Sequence, residues 1–421
     1  MNQRELASLL AKVKNDGSDT LDLSREDLES LPPELGDLLN LVELDLTGNR
    51  LTQLPSEIGN LTNLTRLNAR NNQLTSLPPE LGDLANLRGL FLQENQLSDL
   101  PPQIGRLRNL ERLNSSNNKL TALPPEIGNL KSLAWLYLAD NAIAELPSEF
   151  GRLSALTDCY LQGNKLSSLP SEIGHLASLT ELQLDRNNLT ELPMGIAGLT
   201  NLNVIYLREN NLADLPAQFA GLASLTWLYL GGNNLTELPQ EIGSMTRLQG
   251  LYIENNRLGK LPPEIGNLTN LIWLYLEGNK LTGLPFSIGN LTQLIQLNLR
   301  DNELTDFSLE ICNLDALVFL DLAFNKISSL PPEMGNLTAL NELHLNDNRI
   351  RELPQEIGDL EEMIDLFLSN NRLNKVPETM SNMRNLERLY LSDNLLTELP
   401  AALGDMVDQD IVLLDRNPLS E

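Results

Sequence analysis

Leucines and a single asparagine recur along almost the whole chain at a fixed spacing. Asparagine occupies 17 positions from Asn49 to Asn417, one every 23 residues, without an insertion or a deletion. Around each asparagine the sequence follows the template LxxLxLxxNxLxxLPxEIGxLxx, and a degenerate unit with Glu26 at the asparagine position precedes the series, which gives 18 units. Because one such unit cannot bury a core alone, the pattern predicts a stack of repeats.

Each repeat is predicted to contain a short strand and a return segment. The two leucines of LxL lie two residues apart, so they share one face of a strand and the residue between them points to the other face. The asparagine amide can both donate and accept, and is expected to satisfy backbone groups of neighbouring turns. Proline fills the second-half column at 16 of 17 positions from Pro32 to Pro400, Ser308 being the exception. Because proline fixes φ and has no N–H to donate, it favours a return segment that contains no strand.

Stacked repeats predict one parallel sheet, one continuous core and no domain boundary, so residues 18–421 are expected to form a single solenoid of about 18 repeats. An amphipathic N-terminal capping helix is predicted over residues 1–17, ending near Gly17. Its apolar positions follow the spacing i, i+3, i+4 and i+7: Leu6, Leu9, Leu10 and Val13.

The C-terminal repeat departs from the apolar template. Gln409 and Asp410 stand where apolar residues are expected, and the sequence ends at Glu421. The last repeat is therefore expected to act as a thin C-terminal cap, or to mark the point at which a longer chain was cut.

Charge and composition narrow the partner classes. Acidic residues outnumber basic ones 57 to 30, for a formal charge of −27. Such a polyanion is repelled by nucleic acid and by acidic membrane surfaces, and it favours a protein partner with a basic surface. No secretory signal, no membrane-spanning apolar run and no disulfide framework is recognisable, so a soluble cytoplasmic protein is expected.

No catalytic constellation is recognisable, and neither an enzyme activity nor a cofactor is expected. The sequence lacks the phosphate-binding motif GxxxxGK[ST]. His175 and His344 are seven repeats apart and cannot share a metal. Cys159 occupies a core leucine position, whereas Cys312 replaces a glycine of the return segment and is expected to be partly exposed.

Eleven glutamates share one column after the proline: Glu34, Glu57, Glu80, Glu126, Glu149, Glu172, Glu241, Glu264, Glu310, Glu333 and Glu356. Two interpretations remain open. Each glutamate begins a short helical turn, where negative charge is favourable, or the column forms an acidic ridge for a basic partner.

The few aromatic residues are concentrated on the face opposite the leucines. All seven tyrosines occupy the middle position of LxL, and all three tryptophans lie two residues earlier on the same face. Strands lie about 4.8 Å apart, so the column from Tyr137 to Tyr275 would extend roughly 30 Å. Tyrosine and tryptophan often carry interface energy. The predicted partner-binding residues are Phe91, Trp135, Tyr137, Tyr160, Tyr206, Arg208, Trp227, Tyr229, Tyr252, Glu254, Trp273, Tyr275 and Glu277.

An alternative is that these rings only line and stabilise the sheet by stacking on one another. Outside the central repeats the same column is polar, at Asp45, Asn68, Asn298, Asp321 and His344. This local distribution favours binding over lining.

The repeats resemble the leucine-rich repeat family, which implies an α/β fold. The implied architecture is a right-handed solenoid, or horseshoe, with a concave parallel β-sheet and a convex side of short 3₁₀ and turn segments. The consensus LPxEIGxLxxL resembles that of the intracellular branch of the family. This branch includes the Ras–Raf scaffold proteins, the plant Ras-group-related proteins, the Scribble and Erbin group, and bacterial Roco proteins. The opening ELASLLAKVKNDGSDTLDLS is similar to the helix that leads into Roco repeats.

The resemblance implies a non-catalytic scaffold or adaptor for signal transduction that engages a protein partner through the concave face. A monomer is favoured. One alternative is the regulatory repeat module of a larger, Roco-like signalling GTPase. A third possible function is that of a secreted ligand receptor, which is disfavoured because no signal peptide is recognisable.

Overall fold

The structure is a computed structural model that describes residues 1–409 and 411–419. Asp410 and Glu421, which belong to the predicted C-terminal cap, lie outside the described residues. The chain divides into two compact units, Met1–Asn211 and Leu212–Glu421, here called the N-terminal and C-terminal units. Each is described by itself, and the single solenoid over residues 18–421 stays a prediction.

Each repeat forms one short strand. In the N-terminal unit these are β1 Thr20–Asp22, β2 Glu43–Asp45, β3 Arg66–Asn68, β4 Gly89–Phe91, β5 Arg112–Asn114, β6 Trp135–Tyr137, β7 Asp158–Tyr160, β8 Glu181–Gln183 and β9 Val204–Tyr206. In the C-terminal unit they are β10 Trp227–Tyr229, β11 Gly250–Tyr252, β12 Trp273–Tyr275, β13 Gln296–Asn298, β14 Phe319–Asp321, β15 Glu342–His344, β16 Asp365–Phe367, β17 Arg388–Tyr390 and β18 Val412–Leu413. Within each unit, consecutive strands pair in parallel and in register, as Leu251 does with Leu274.

The return segment of each repeat is a 3₁₀ turn. In the N-terminal unit these turns are Pro33–Asp37, Ser56–Asn60, Pro79–Asp83, Pro102–Arg106, Pro125–Asn129, Ser148–Arg152, Ser171–His175 and Met194–Gly198. In the C-terminal unit they are Ala217–Gly221, Gln240–Ser244, Pro263–Asn267, Phe286–Asn290, Leu309–Asn313, Pro332–Asn336, Gln355–Asp359, Glu378–Asn382 and Ala401–Leu403.

The column glutamates lie in the first turn of these 3₁₀ segments, as the first of the two interpretations requires. At Glu172, hydrogen bonding by its backbone N–H, and then by the Ser171 hydroxyl, lowers the pKa of the carboxyl. The acidic ridge for a basic partner stays a prediction.

Two α-helices lie near the ends of the described chain. Helix α1 spans Gln3–Asp16, within the segment 1–17, and α2 spans Gly404–Asp408. At the start of α1 the Asn2 side chain accepts from the Glu5 N–H, and Glu5 in turn accepts from the Asn2 N–H, which forms a capping box. The helix ends at Gly17, whose φ of +66° is left-handed. It buries Leu6 and Leu10 against the first repeat.

The core is largely aliphatic, although the rings of Phe150 and Phe219 are also buried in it, and a ladder of buried asparagines runs along it. At Asn187 the side-chain Oδ1 accepts from the Leu166 N–H at 3.0 Å. Its Nδ2 donates to the carbonyl oxygens of Leu161 and Leu184, both at 3.0 Å. The same three bonds recur at Asn256. The predicted role of the asparagine column is confirmed.

The expected partial exposure of Cys312 is wrong, because its side chain is only 3% exposed. Cys312 occupies the column that faces the next 3₁₀ turn, as Gly289 does one repeat earlier, where an added Cβ would meet the Glu310 carbonyl oxygen at 2.9 Å. The neighbouring turn therefore covers the thiol, and burial raises the pKa of Cys312 to about 11. Cys159 is fully buried, as predicted.

Over residues 1–409 and 411–419, no helix combines the length and the apolar character that a membrane span requires. The same residues contain no group of three or more His, Cys, Asp or Glu side chains arranged to hold a metal ion.

Candidate functional site: the outward face of the sheet

The first and third residues of each strand point away from the leucine core. Their surface is called the sheet face below. In the three-residue strands the central residue is buried, as Leu228 and Leu251 are, while most of the residues on either side of it are partly or fully exposed. All seven tyrosines are third residues and all three tryptophans are first residues of their strands. The sheet face therefore carries the predicted aromatic columns.

Five of the predicted residues form one group in the C-terminal unit, called the aromatic cluster: Trp227, Tyr229, Tyr252, Trp273 and Tyr275. The Tyr229 and Tyr252 rings stack with centroids 4.6 Å apart, and those of Tyr252 and Tyr275 with centroids 5.0 Å apart. The indoles of Trp227 and Trp273 approach to 5.1 Å. Each ring is partly exposed.

A glycine lets the two indoles meet. Trp227 lies in β10 and Trp273 in β12, with β11 between them, so their backbones are about 9.6 Å apart. The first residue of β11 is Gly250, and a Cβ there would lie 2.4 Å from Cε3 of Trp227. The indole of Trp227 thus occupies the space above Gly250 and reaches toward Trp273. The positions of Trp227 and Trp273, two repeats apart in the sequence, did not reveal this contact.

Polar groups border the aromatic cluster. The Tyr275 hydroxyl donates to Oε1 of Gln296 in β13. Burial, and then the charge of Glu277, raises the pKa of Tyr275, so the phenol remains a neutral donor. Glu254 and Glu277, two residues beyond the third position of β11 and β12, are partly exposed, as a bordering role requires.

The predicted residues of the N-terminal unit form a smaller group. Tyr137 and Tyr160 stack with centroids 4.8 Å apart. Burial, and then the neighbouring Glu181, raises the pKa of Tyr160. Tyr206 is not adjacent to them, because β8 contributes Gln183 to the column. The backbone N–H of Arg208 donates to Oδ1 of Asp185 at 2.7 Å.

Phe91 and Trp135 each carry a guanidinium group on the ring. The Cζ of Arg66 lies 4.6 Å from the Phe91 centroid, and the Cζ of Arg112 lies 4.4 Å from that of Trp135. Sequence reasoning missed both arginines. The sequence could have revealed them, because each arginine occupies the first strand position in the repeat that precedes the repeat of its aromatic partner.

A second series of stacked rings in the C-terminal unit was also missed. His344, predicted as a polar interruption of the tyrosine column, stacks on Phe367 at 4.1 Å, and Phe367 stacks on Tyr390 at 4.5 Å. Phe319 lies 5.5 Å from His344 on its other side. The imidazole Nε2 is 2.6 Å from Oε1 of Glu342. The sequence could have revealed this series, because the imidazole ring of a histidine in the tyrosine column can stack as an aromatic ring does.

Comparison with known families decides what kind of repeat this is. A family model described as "Leucine-rich repeat region" matches residues 112–188, 222–326 and 299–404, which is more than half of the chain. The chain belongs to the leucine-rich repeat family. Models described as "Leucine rich repeat", "Leucine Rich repeats (2 copies)" and "Leucine Rich Repeat" match residues 177–235, 62–104 and 40–61 of this leucine-rich repeat chain.

Solved structures give the same result for the fold. A leucine-rich repeat protein of Leptospira interrogans is 35% identical, with a TM-score of 0.76, and the match covers 96% of this chain and 98% of that one. The plant peptide hormone receptor RGFR1, solved in complex with RGF2, is 30% identical with a TM-score of 0.73, covering 96% and 75%. Toll of Drosophila, from the Toll–Spatzle complex, is 26% identical with a TM-score of 0.78, covering 90% of this chain and 54% of that one.

The predicted α/β leucine-rich-repeat solenoid, with a parallel sheet and short 3₁₀ turns, is confirmed. No curated protein matches the chain. These comparisons identify the leucine-rich repeat family and leave its intracellular branch as a prediction.

Proposed function

We propose that this leucine-rich repeat chain is a non-catalytic scaffold or adaptor that binds a protein partner through the sheet face. The observation that carries the proposal is the aromatic cluster. Three stacked tyrosines and two indoles are held together on an outward-facing surface, and every ring remains partly exposed. Tyrosine and tryptophan offer large contact areas with few rotatable bonds, and they dominate the energetics of many interfaces.

The packing around Gly250 favours binding over a purely stabilising role. Glycine in a strand is unfavourable because it provides no side chain to pack and loses much entropy on folding. In β11 it allows Trp227 to lie across the strand toward Trp273. A sheet stabilised only by stacking of adjacent rings does not require this glycine, whereas a broad aromatic surface does.

The acidic residues that border the aromatic cluster favour a partner with a basic surface. Glu254 and Glu277 lie beside Tyr252 and Tyr275 in the same repeats, and the chain carries a formal charge of −27. A basic partner would be attracted over long range and oriented at these carboxylates. RGFR1 and Toll, which share the fold, were both solved in complexes, with RGF2 and Spatzle respectively. These complexes support a repeat surface as a partner site.

We further propose that the chain acts as a monomer in the cytoplasm, within a signalling pathway. The two free and buried cysteines support a reducing compartment. Fractionation of the source cells, with this chain followed by an antibody, is expected to place it in the cytosolic fraction. Its recovery from the medium would contradict this localisation.

Removing two rings of the cluster is expected to abolish partner capture. The variant Tyr229→Ser with Tyr252→Ser would be used as bait in a lysate of the source organism, beside the unaltered chain, with quantitative mass spectrometry of the bound proteins. We expect the proteins enriched by the unaltered chain to fall at least about tenfold, since hot-spot residues contribute 2 kcal/mol or more each.

The matched control is Phe286→Ser. Phe286 is 85% exposed and lies on a 3₁₀ turn, away from the sheet face. Circular dichroism would verify that both baits are folded. If the folded double variant kept the partners that the control keeps, the sheet-face proposal would be wrong.

A further inference from the structure

Two arginines on the sheet face of the N-terminal unit are held by aromatic rings. Arg66 rests on Phe91 and Arg112 on Trp135, with Cζ-to-centroid distances of 4.6 and 4.4 Å. Both arginines are exposed first residues, of β3 and β5 respectively. In a chain with a formal charge of −27, two ring-supported cations on one strand column are unexpected.

Neither arginine forms an ion pair with any residue that the structure describes. Neighbouring arginines do: Arg88 pairs with Glu111 at 2.8 Å, and Arg106 with Asp83 at 3.1 Å. A guanidinium over the face of a ring is attracted by the π electrons of the ring, so its N–H donors remain available for a planar acceptor. Stacking therefore fixes these two cations in position without neutralising their charge.

Strand β4 lies between the two strands that carry the arginines, β3 and β5. Its first residue is Gly89, so no side chain separates Arg66 from Arg112 in this column. The Phe91 ring covers the glycine instead, with Cε2 only 3.0 Å from the place of an added Cβ. The result is an alternation of guanidinium and aromatic groups over β3 to β6. Glu43, the neighbour of Arg66 in β2, is the carboxylate nearest to them in this column.

We propose that Arg66 and Arg112 form a two-point site for carboxylates of an acidic segment in a protein partner. The strands that carry the two arginines are two steps apart, or about 9.6 Å, which is close to the roughly 9.3 Å between residues i and i+3 of a polyproline II segment, whose side chains point the same way. Two carboxylates three residues apart would each meet one guanidinium in the bidentate geometry that arginine provides. The proposal relies on the proposed function only for the choice of a protein as the source of the carboxylates.

A protein segment fits better than a nucleic acid or a lipid surface. Those polyanions would bring many charges near a chain whose own charge is −27, and repulsion would outweigh two contacts. A short acidic segment carries only the charges that the site can accept.

The test is a calorimetric titration of the full chain with the peptide GSEGSEGS, in which two glutamates lie three residues apart. We expect saturable binding that weakens at least about tenfold for GSQGSQGS and for the Arg66→Gln and Arg112→Gln variants. Arg66→Lys is expected to restore little, because lysine keeps the charge and loses the planar fork. The control Arg88→Gln removes an arginine that is already paired with Glu111 and should bind as the unaltered chain does.

Equal binding of the glutamate and glutamine peptides, absence of binding, or equal affinities for Arg66→Gln and Arg88→Gln would overturn the proposal. Tyr229→Ser with Tyr252→Ser changes the other unit and should leave the peptide affinity unaltered. Failure of the aromatic-cluster proposal would therefore appear in partner capture and not in this titration.

Discussion

Replacing Asn187 with alanine is expected to lower the free energy of unfolding by about 3 kcal/mol. The side chain is only 4% exposed and is the acceptor for the Leu166 N–H. The carbonyl oxygens that it donates to keep a second donor, because Asn164 also bonds Leu161 and Asn210 also bonds Leu184. The Leu166 N–H has no such replacement. The burial of this N–H group without an acceptor therefore accounts for most of the expected decrease in the free energy of unfolding.

Chemical denaturation followed by circular dichroism measures this effect. The control is Asn188→Ala, one residue further along the chain, because that asparagine is exposed. We expect its midpoint to stay within the error of the unaltered chain. Equal midpoints for the Asn187 and Asn188 variants would show that the asparagine ladder does not hold the repeats together.

Gly174→Ala is expected to be comparably destabilising, by about 3 kcal/mol, for a steric reason. A Cβ on Gly174 would lie 1.9 Å from the carbonyl oxygen of Gly195 in the next 3₁₀ turn. The three nearest atoms all belong to the Gly195 backbone, so a side-chain rotation cannot relieve the clash and the turns must separate.

Thermal unfolding of Gly174→Ala would be compared with that of Gly283→Ala. No atom lies within 4 Å of a Cβ built on Gly283, so this control adds the same methyl group without a clash. The Gly174 variant should melt at a clearly lower temperature than the control. Identical melting temperatures would mean that the turns can separate without loss of stability.

The repeat fold could be predicted because every level of the sequence agrees with it. The period of 23 residues, the LxL strand, the proline return and the asparagine ladder each predict the same unit. Asn187 illustrates the agreement, since its donors and acceptors match the backbone groups that stacked turns leave unsatisfied.

For the candidate site, the sequence predicted which columns of the repeats carry the residues, but not how their side chains contact one another. Periodicity assigns Trp227 and Trp273 to one face, but it does not show that Trp227 leans over Gly250 to reach a strand two positions away. Side-chain direction depends on the space left by neighbours, which the repeat template does not encode. The same reason explains why Arg66 and Arg112 were missed and why Cys312 was expected to be exposed.

The measurement that tests the central claim most directly is the affinity of Gly250→Ala for the partner recovered by capture, compared with Gly283→Ala. The added methyl group would displace the Trp227 indole, whose Cε3 lies 2.4 Å from its place, and would remove no aromatic residue. If the aromatic cluster is the binding surface, the dissociation constant should rise at least about tenfold for Gly250→Ala and stay unchanged for the control. Equal dissociation constants for the two folded variants would contradict the account.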